Sequence, residues 1–117
     1  MMKDIIVNEL CENIIIGGIL GDGNLALYGR SKNAYYREHG GTKQLNYRVW
    51  KYHMLQDIGF KIRFNEQYPT LTSKSMPYFT DLYYKFYFNK VKVITEENIK
   101  LLTHPVGLAV LLWMMVH

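Results

Sequence analysis

Apolar residues recur at helical spacing in residues 7–20, and polar residues mark both ends of this segment. This spacing predicts an amphipathic helix with an apolar stripe. The stripe consists of Leu10, Cys11, Ile14, Ile15, Ile16, Ile19 and Leu20. Asn8 can cap its first turn, where Glu9 and Glu12 suit the positive end of the helix dipole. The segment 21–23, Gly-Asp-Gly, predicts its end, since a left-handed glycine stops a helix.

The rest of the chain alternates strand-like and helical patterns. The predicted strands are 24–28, 33–38, 60–65 and the aromatic segment 78–88, with a loop at 69–77. A second helix is expected over 43–58, capped by Thr42 and ended by Gly59, and two short helices over 96–102 and 106–116. The order α-ββ-α-ββ-α-α indicates an α+β fold, and 117 residues fit one domain.

Composition excludes several classes of protein. Apolar residues form 49% and charged residues 21% of the chain, which is typical of a globular domain rather than a disordered one. The uncharged stretches 14–20 and 106–116 are much shorter than the roughly 20 residues that span a bilayer, so no membrane partner is expected. Cys11 is the only cysteine, which indicates a reducing, cytoplasmic location (or an organellar matrix) without an internal disulfide or a structural zinc site.

The charge is concentrated in the middle of the chain. Residues 23–92 contain twelve Lys and Arg against four acids, a net charge of +8, while the two ends sum to −4. Such a tyrosine-rich basic segment is typical of a surface that faces phosphates. An ordinary solvated basic face is an equally good interpretation of the charge alone.

The end of the first helix carries the residues with the most chemical information. Gly17 and Gly21 lie four apart on one helix face, where missing side chains let another backbone approach closely. Asp22 lies at the negative end of the helix, where a carboxylate is unfavourable unless a cation such as a divalent metal offsets it. The simpler interpretation is a glycine cap followed by an exposed turn aspartate.

Four segments together resemble the LAGLIDADG homing endonuclease family, in the family's order. Residues 15–25, IIGGILGDGNL, resemble the motif itself, and residues 42–51, TKQLNYRVWK, resemble the family's second helix. Residues 86–95, FYFNKVKVIT, are similar to the stretch before the closing helices, and residues 105–110, PVGLAV, to the approach to a second motif. The resemblance covers nearly the whole chain.

This resemblance implies a metal-dependent, sequence-specific double-strand DNA endonuclease with an αββαββα fold. A saddle-shaped antiparallel sheet, packed on helices, would lie in the DNA major groove, and two motif helices would each deliver one acid to shared Mg²⁺ ions. Carried over by position, Asp22 would ligate the metal with help from the Gly21 carbonyl, and Lys43, Gln44 and Lys92 would order the attacking water. Phosphodiester hydrolysis would then proceed by a metal-activated water.

The same resemblance implies where DNA and a partner bind. Residues expected to reach bases or phosphates are Arg30, Lys32, Asn33, Tyr35, Arg37, Lys61, Arg63 and Lys85. Strand alternation places Asn33, Tyr35 and Arg37 on one face, and Lys61 with Arg63. The seam with a second LAGLIDADG half, or with a second copy in a homodimer, would form at Gly17, Gly18 and Gly21.

The second motif departs from the family. Residues 106–117 resemble a degenerate or truncated second motif, in which the aspartate position falls at Met115, and methionine does not ligate a hard cation. One alternative is therefore a DNA- or RNA-binding module without nuclease activity, such as an intron-splicing helper or regulator. Another is an interaction protein in which the glycine helix is only a dimer seam.

Overall fold

The computed structural model describes residues 7–27, 32–39, 45–64 and 69–116. Within these residues the helices are α1 (Glu9–Leu20), α2 (Leu45–Leu55), α3 (Pro77–Phe86), α4 (Glu96–Ile99) and α5 (Pro105–Val116), and a 3-10 turn, Gln56–Ile58, follows α2. The strands are β1 (Asn24–Ala26), β2 (Tyr35–His39), β3 (Phe60–Arg63), β4 (Thr70–Ser73), β5 (Tyr87–Phe88) and β6 (Val91–Lys92). None of the described helices has the length and apolar character needed to cross a bilayer.

Four strands form one antiparallel sheet in the order β1-β2-β4-β3, and β5 pairs with β6 in a separate hairpin. Alternation along each strand gives the sheet a buried inner face and an exposed outer face. The inner face contributes Leu25, Tyr36, Leu71 and Phe60 to the core, where α1 adds four isoleucines that are at most 1% exposed. The α+β architecture expected from the sequence is confirmed.

The aromatic segment 78–88 is a helix over most of its length, so its prediction as a strand was wrong. Pro77 occupies the first turn of α3, and Phe79, Leu82 and Phe86 are buried at helical spacing. The fourth strand of the sheet is instead β4, inside the segment that was expected to be a loop. Packing of one face of the helix against the core outweighs the strand propensity of its aromatic residues.

The helix ends follow the predicted caps with one exception. Asn8 accepts a hydrogen bond from the Cys11 amide at 2.8 Å, Thr95 caps α4, and Gly59 is left-handed with φ 95°. Gly21, however, has φ −101°, so α1 does not end through a left-handed glycine. The expected cap at Thr42 lies outside the described residues.

Asn13, buried on α1, holds the start of α5 in place. Its Nδ2 donates to the Glu9 carbonyl and to Thr103 Oγ1, both at 3.0 Å, and its Oδ1 accepts from the amides of Thr103 at 2.8 Å and His104 at 3.0 Å. One amide therefore satisfies backbone groups of the connection between α4 and α5, and it fixes α5 beside α1.

Replacing Asn13 with leucine is expected to lower the free energy of unfolding by about 2 kcal/mol, because two amides lose their acceptor in the interior. Urea denaturation followed by circular dichroism measures this loss. Asn46→Leu, at an exposed position of α2, is the matched control and is expected to change stability by less than about 0.5 kcal/mol. Equal losses in the two variants would contradict the anchoring role of Asn13.

Candidate nucleic-acid interface and acidic turn

Asp22 lies in the tight turn that joins α1 to the first strand of the sheet, and its side chain is exposed. The turn is closed by the Gly23 amide, which donates to the Gly18 carbonyl at 2.7 Å. Asn24 adds a side-chain hydrogen bond to the Asp22 carbonyl at 3.2 Å. The carboxylate is thus held at the end of a buried helix and next to the edge strand β1.

Lys92 lies directly against this turn. Its ammonium donates to the carbonyls of Ile19 at 2.9 Å, Gly21 at 3.1 Å and Gly23 at 2.9 Å. Burial lowers the pKa of Lys92, and the Asp22 charge opposes that change. The structure therefore brings together the predicted residues Asp22 and Lys92, and Lys92 supplies a cation at the negative end of α1.

The turn presents oxygen atoms of the kind that divalent cations bind. Divalent cations such as Mg²⁺ prefer oxygen ligands, and the turn presents the Asp22 carboxylate and the Gly21 carbonyl, which already accepts a hydrogen bond from Lys92. In the part of the chain that the structure describes, no group of three His, Cys, Asp or Glu side chains is placed to hold a metal.

Two of the three glycines that were predicted to form a seam face another helix of the same chain. A Cβ on Gly17 would collide with the Gly107 carbonyl oxygen, and one on Gly21 would lie 2.5 Å from Met114 Sδ, so both glycines face α5. Gly18 faces the other way, because a Cβ there would collide with the Tyr36 hydroxyl. In this structure the helix that approaches Gly17 and Gly21 closely is therefore α5 of the same chain.

The pairing of α1 with α5 is parallel. Gly107 is close to Asn13, Val110 to Gly17, and Met114 to Gly21, so residue numbers increase together along the two helices. The segment that resembles a second motif thus lies beside the first motif. Its Met114 is level with the acidic turn. The side chain of Met115, to which the missing aspartate was assigned, is outside the described part.

The outer face of the sheet carries polar and basic side chains in rows. The register places Asn24, Arg37, Thr72 and Lys61 opposite one another across the four strands. A second row, His39, Thr70 and Arg63, crosses three strands. Side chains that are directly opposite on neighbouring strands lie about 5 Å apart, so the predicted residues Arg37, Lys61 and Arg63 form one basic surface, with Tyr35 on the same face opposite Ala26.

Other predicted DNA-binding residues lie elsewhere. Asn33 precedes β2 and accepts a hydrogen bond from Thr80 Oγ1 at 3.0 Å, so its amide is used to hold α3. Lys85 lies on α3, at a groove of about 440 Å³ toward α4, and not on a strand as expected. Lys32 is exposed just before β2. Arg30, Lys43 and Gln44 lie outside the described residues.

The sequence interpretation missed Thr72 and Thr70, which lie inside the first and the second row, respectively. The alternation Thr70-Leu71-Thr72-Ser73 after Pro69 was the available signal, and it was overlooked because the loop around Pro69 and Pro77 was taken as irregular. A threonine hydroxyl both donates and accepts hydrogen bonds, which suits contact with base edges or phosphates.

Two basic residues of the middle segment do not reach the surface. Arg48 and Lys51 on α2 are at most 1% exposed and surround Glu38. Arg48 Nε lies 3.2 Å from Glu38 Oε2, and Lys51 Nζ lies 2.8 Å from Glu38 Oε1, which also accepts the Tyr36 hydroxyl at 2.6 Å. The charge of +8 in the sequence therefore overstates the charge available for DNA.

Burial acts to raise the pKa of Glu38, but Lys51, the Tyr36 hydrogen bond and Arg48 together hold that pKa below its usual value. Because the pKa is lower in the folded than in the unfolded chain, the resulting stability is present above the unfolded pKa of about 4.3 and is lost as pH falls through the folded pKa.

We expect the stability difference between the wild type and Glu38→Gln to narrow as pH falls below about 4.3, since protonated Glu38 resembles glutamine. Urea denaturation at a series of pH values from 7 to 3 measures it. Glu97→Gln, on the exposed face of α4, is the control and should follow the wild type throughout. A difference that stays constant with pH would contradict the buried ion cluster.

The sequence and the fold of this chain are similar to those of known proteins. Residues 12–116 match the LAGLIDADG DNA endonuclease family. Two curated relatives are the RecA proteins of Mycolicibacterium flavescens and Mycobacterium shimoidei, which are 32% and 31% identical over 100 residues, or 83% of this chain. Those residues make up 23% of each relative, so the chain spans about a quarter of their length.

Among solved structures, the homing endonuclease I-WcaI bound to its DNA recognition sequence has the same fold. The TM-score is 0.73 at 18% identity, and the alignment covers 92% of this chain and 51% of that protein. The chain is therefore similar in extent to about half of that endonuclease. Since the family match extends over most of its residues, this chain belongs to the LAGLIDADG DNA endonuclease family.

Proposed function

We propose that this chain is one half of a sequence-specific, Mg²⁺-dependent double-strand DNA endonuclease of the homing type. The observation that carries the proposal is the position of Asp22 relative to the basic face of the sheet. Asp22 is two residues before Asn24, which begins the row that continues through Arg37, Thr72 and Lys61. A duplex bound on this face would have its backbone near the exposed carboxylate.

Different residues of this chain would have different roles in such an enzyme. Arg37, Lys61 and Arg63 would bind phosphates or guanine edges, and Thr72 and Thr70 would contact bases between them. Lys92 holds the carbonyl groups of the turn and so keeps the backbone of Asp22 in one conformation. A bound Mg²⁺ supplies a Lewis acid and an activated water, and Asp22 with the Gly21 carbonyl would provide its ligands from this half.

A second half would complete the enzyme. Two features support this: the chain aligns with 51% of I-WcaI, and α5 presents apolar side chains to solvent. Leu108 and Leu112 are each about half exposed, and Trp113 is 38% exposed next to the ring of Tyr47 at 5.1 Å. A helix without a charged residue, with this face exposed, is typical of a surface that packs against another domain.

A binding module without nuclease activity is the second candidate. Met114 packs against Gly21 next to the acidic turn, and the aspartate position of the second motif falls at the neighbouring Met115. Such a protein would keep the basic rows on the sheet and would bind DNA or RNA without cutting it. Loss of the Asp22 carboxylate would leave its affinity unchanged.

Cleavage of a random-sequence duplex library distinguishes the two candidates. With the chain as an endonuclease half, Mg²⁺ should produce cuts in one recurring sequence, and EDTA should suppress them. Sequencing of the cut ends gives the recognition site directly. Binding of duplex without any Mg²⁺-dependent cut, both by the chain alone and together with a second half, would favour the binding module.

Affinity for duplex DNA is expected to fall steeply with salt. Seven lysines and arginines of residues 23–92 are exposed in the described part: Lys32, Arg37, Lys61, Arg63, Lys74, Lys85 and Lys90. If about five of them neutralise phosphates, the slope of log K against log salt concentration should be near −4.5. Fluorescence anisotropy between 50 and 300 mM KCl, roughly the range over which such slopes are measured, gives this value.

The same titration tests the basic face residue by residue. Arg63→Ala should reduce the magnitude of the slope by about 1 if Arg63 contacts a phosphate. Lys100→Ala, an exposed residue after α4, is the matched control and should leave the slope unchanged. A wild-type slope near zero would contradict nucleic-acid binding altogether.

A further inference from the structure

The aromatic ring of Tyr36 fills the space between the recognition sheet and the acidic turn. Tyr36 is 1% exposed on the inner face of β2. Its hydroxyl lies so close to Gly18 and Gly23 that a Cβ on either glycine would collide with it. These two residues are also joined by the hydrogen bond that closes the turn, at 2.7 Å. The side chain of Tyr36 therefore supports the turn that carries Asp22.

The hydroxyl of Tyr36 is fixed in turn by the buried ion cluster. It donates to Glu38 Oε1 at 2.6 Å, and the same oxygen accepts Lys51 Nζ at 2.8 Å. The other oxygen of Glu38 accepts Arg48 Nε at 3.2 Å. Lys51 also reaches toward α5, with its Nζ 3.8 Å from Met114 Sδ. A tyrosine ring held by a buried, charge-assisted network has one well-defined position.

The strand that carries Tyr36 and Glu38 also carries a residue of the DNA-facing surface. Arg37 lies between them in the sequence and points to the opposite side of the sheet, where it is paired with Asn24 and Thr72. A shift or twist of β2 when its outer face meets DNA would therefore move Tyr36 against Gly18 and Gly23. The other inner-face side chain of β2, Glu38, is bonded to Arg48 and Lys51 of α2.

We propose that Tyr36 is a positioning residue for Asp22, and that its hydrogen bond to Glu38 couples the recognition strand to the acidic turn. This inference rests on the proposed endonuclease function. Under this proposal, the fit of DNA on β2 sets the orientation of the turn. A poorly matched duplex would therefore still bind, but the Asp22 carboxylate would not be correctly placed. The protein would then discriminate between DNA sequences by its cleavage rate and not by its binding affinity.

Tyr36→Phe tests the proposal, because it removes only the hydroxyl. We expect the dissociation constant for target duplex in Ca²⁺ to change less than twofold. The single-turnover cleavage rate at saturating DNA should fall about 10- to 100-fold, the range found when an outer residue that orients a ligand is altered. Independently of cleavage, hydrogen exchange of the Gly23 amide should become at least tenfold faster, relative to the amides of α2 in the same sample. Tyr52→Phe, a half-buried tyrosine of α2, is the matched control and should change none of these.

A second variant separates positioning from space filling. In Gly18→Ala with Tyr36→Phe, the new methyl group takes the place of the hydroxyl, and its next contact is the ring carbon Cζ at 3.1 Å. This double variant should keep both the slow cleavage and the fast exchange of Gly23, because the bond to Glu38 is still missing. Recovery of both to within twofold of the wild type would show that Tyr36 only fills space and would overturn the proposal.

The remaining outcomes separate this inference from the proposed function. If the wild type cleaves and Tyr36→Phe cleaves at the same rate, the coupling is wrong and the endonuclease function stands. If the wild type cleaves no duplex, either alone or with a second half, the endonuclease function fails, and the exchange of the Gly23 amide alone decides whether Tyr36 positions the turn. An unchanged Gly23 amide in Tyr36→Phe overturns the inference in either case.

Discussion

Asp22→Asn should lower the rate of Mg²⁺-dependent strand cleavage by about a hundred- to a thousandfold. This is the order of loss expected when a group that acts directly on transition-state charge is removed. Asparagine keeps the size of the side chain and the backbone of the turn, but it removes the negative charge that a divalent cation requires. Single-turnover cleavage of the target site, measured at saturating protein, gives the rate.

Affinity separates this effect from a loss of structure. With Ca²⁺ in place of Mg²⁺, Asp22→Asn should bind target duplex within about threefold of the wild type, or more tightly, since one charge that repels phosphate is gone. Asp81→Asn, at an exposed position of α3, is the matched control and should cleave normally. Full metal-dependent cleavage by Asp22→Asn would show that the carboxylate only ends the helix.

Gly17→Ala is expected to have the largest effect on stability, a loss of about 3 kcal/mol in the free energy of unfolding. The new Cβ would collide with the Gly107 carbonyl oxygen and lie 3.0 Å from Val110 Cβ. A backbone carbonyl inside a helix cannot turn aside, so α1 and α5 would have to separate. At Gly21 the nearest atom is Met114 Sδ, at 2.5 Å, which is the end of a flexible side chain. Gly21→Ala should therefore cost only about 1 kcal/mol.

Urea denaturation of both variants at several protein concentrations tests the pairing of α1 with α5. Because this pairing lies within one chain, the loss in Gly17→Ala should not depend on protein concentration. A seam between two copies would instead make stability increase with concentration. Equal losses at Gly17 and Gly21 would contradict the close approach of α5 at Gly17.

The sequence was sufficient for the parts of the fold that depend on local signals. Asn8, Thr95 and Gly59 mark helix ends by capping chemistry that acts within a few residues. The isoleucine stripe of α1 and the pattern of β2 and β3 likewise follow from periodicity. Lys92 contacts the acidic turn although they are 70 residues apart in the sequence, and only the family resemblance indicated that they share a site. Their catalytic roles stay predictions.

The sequence was not sufficient where tertiary contacts determine the conformation of a segment or the burial of a side chain. The tyrosines and phenylalanines of α3 favour a strand, and only the core below Phe79, Leu82 and Phe86 makes the segment helical. Arg48 and Lys51 counted as surface charge, because nothing local indicates that they surround Glu38, 10 and 13 residues earlier. Gly18 was assigned to a helix seam, yet it makes room for Tyr36.

One consequence concerns attempts to redirect this protein to new DNA sequences. Among the described residues, strand β3 lies at the edge of the sheet and pairs only with β4, and its outward side chains are Lys61 and Arg63. Charged side chains on an edge strand prevent other chains from adding to it as extra strands. Exchanging both for uncharged, β-branched residues to read different bases would therefore leave an exposed edge open to intermolecular β-pairing. Libraries that keep one lysine or arginine on β3 should yield soluble variants far more often than libraries that allow neither.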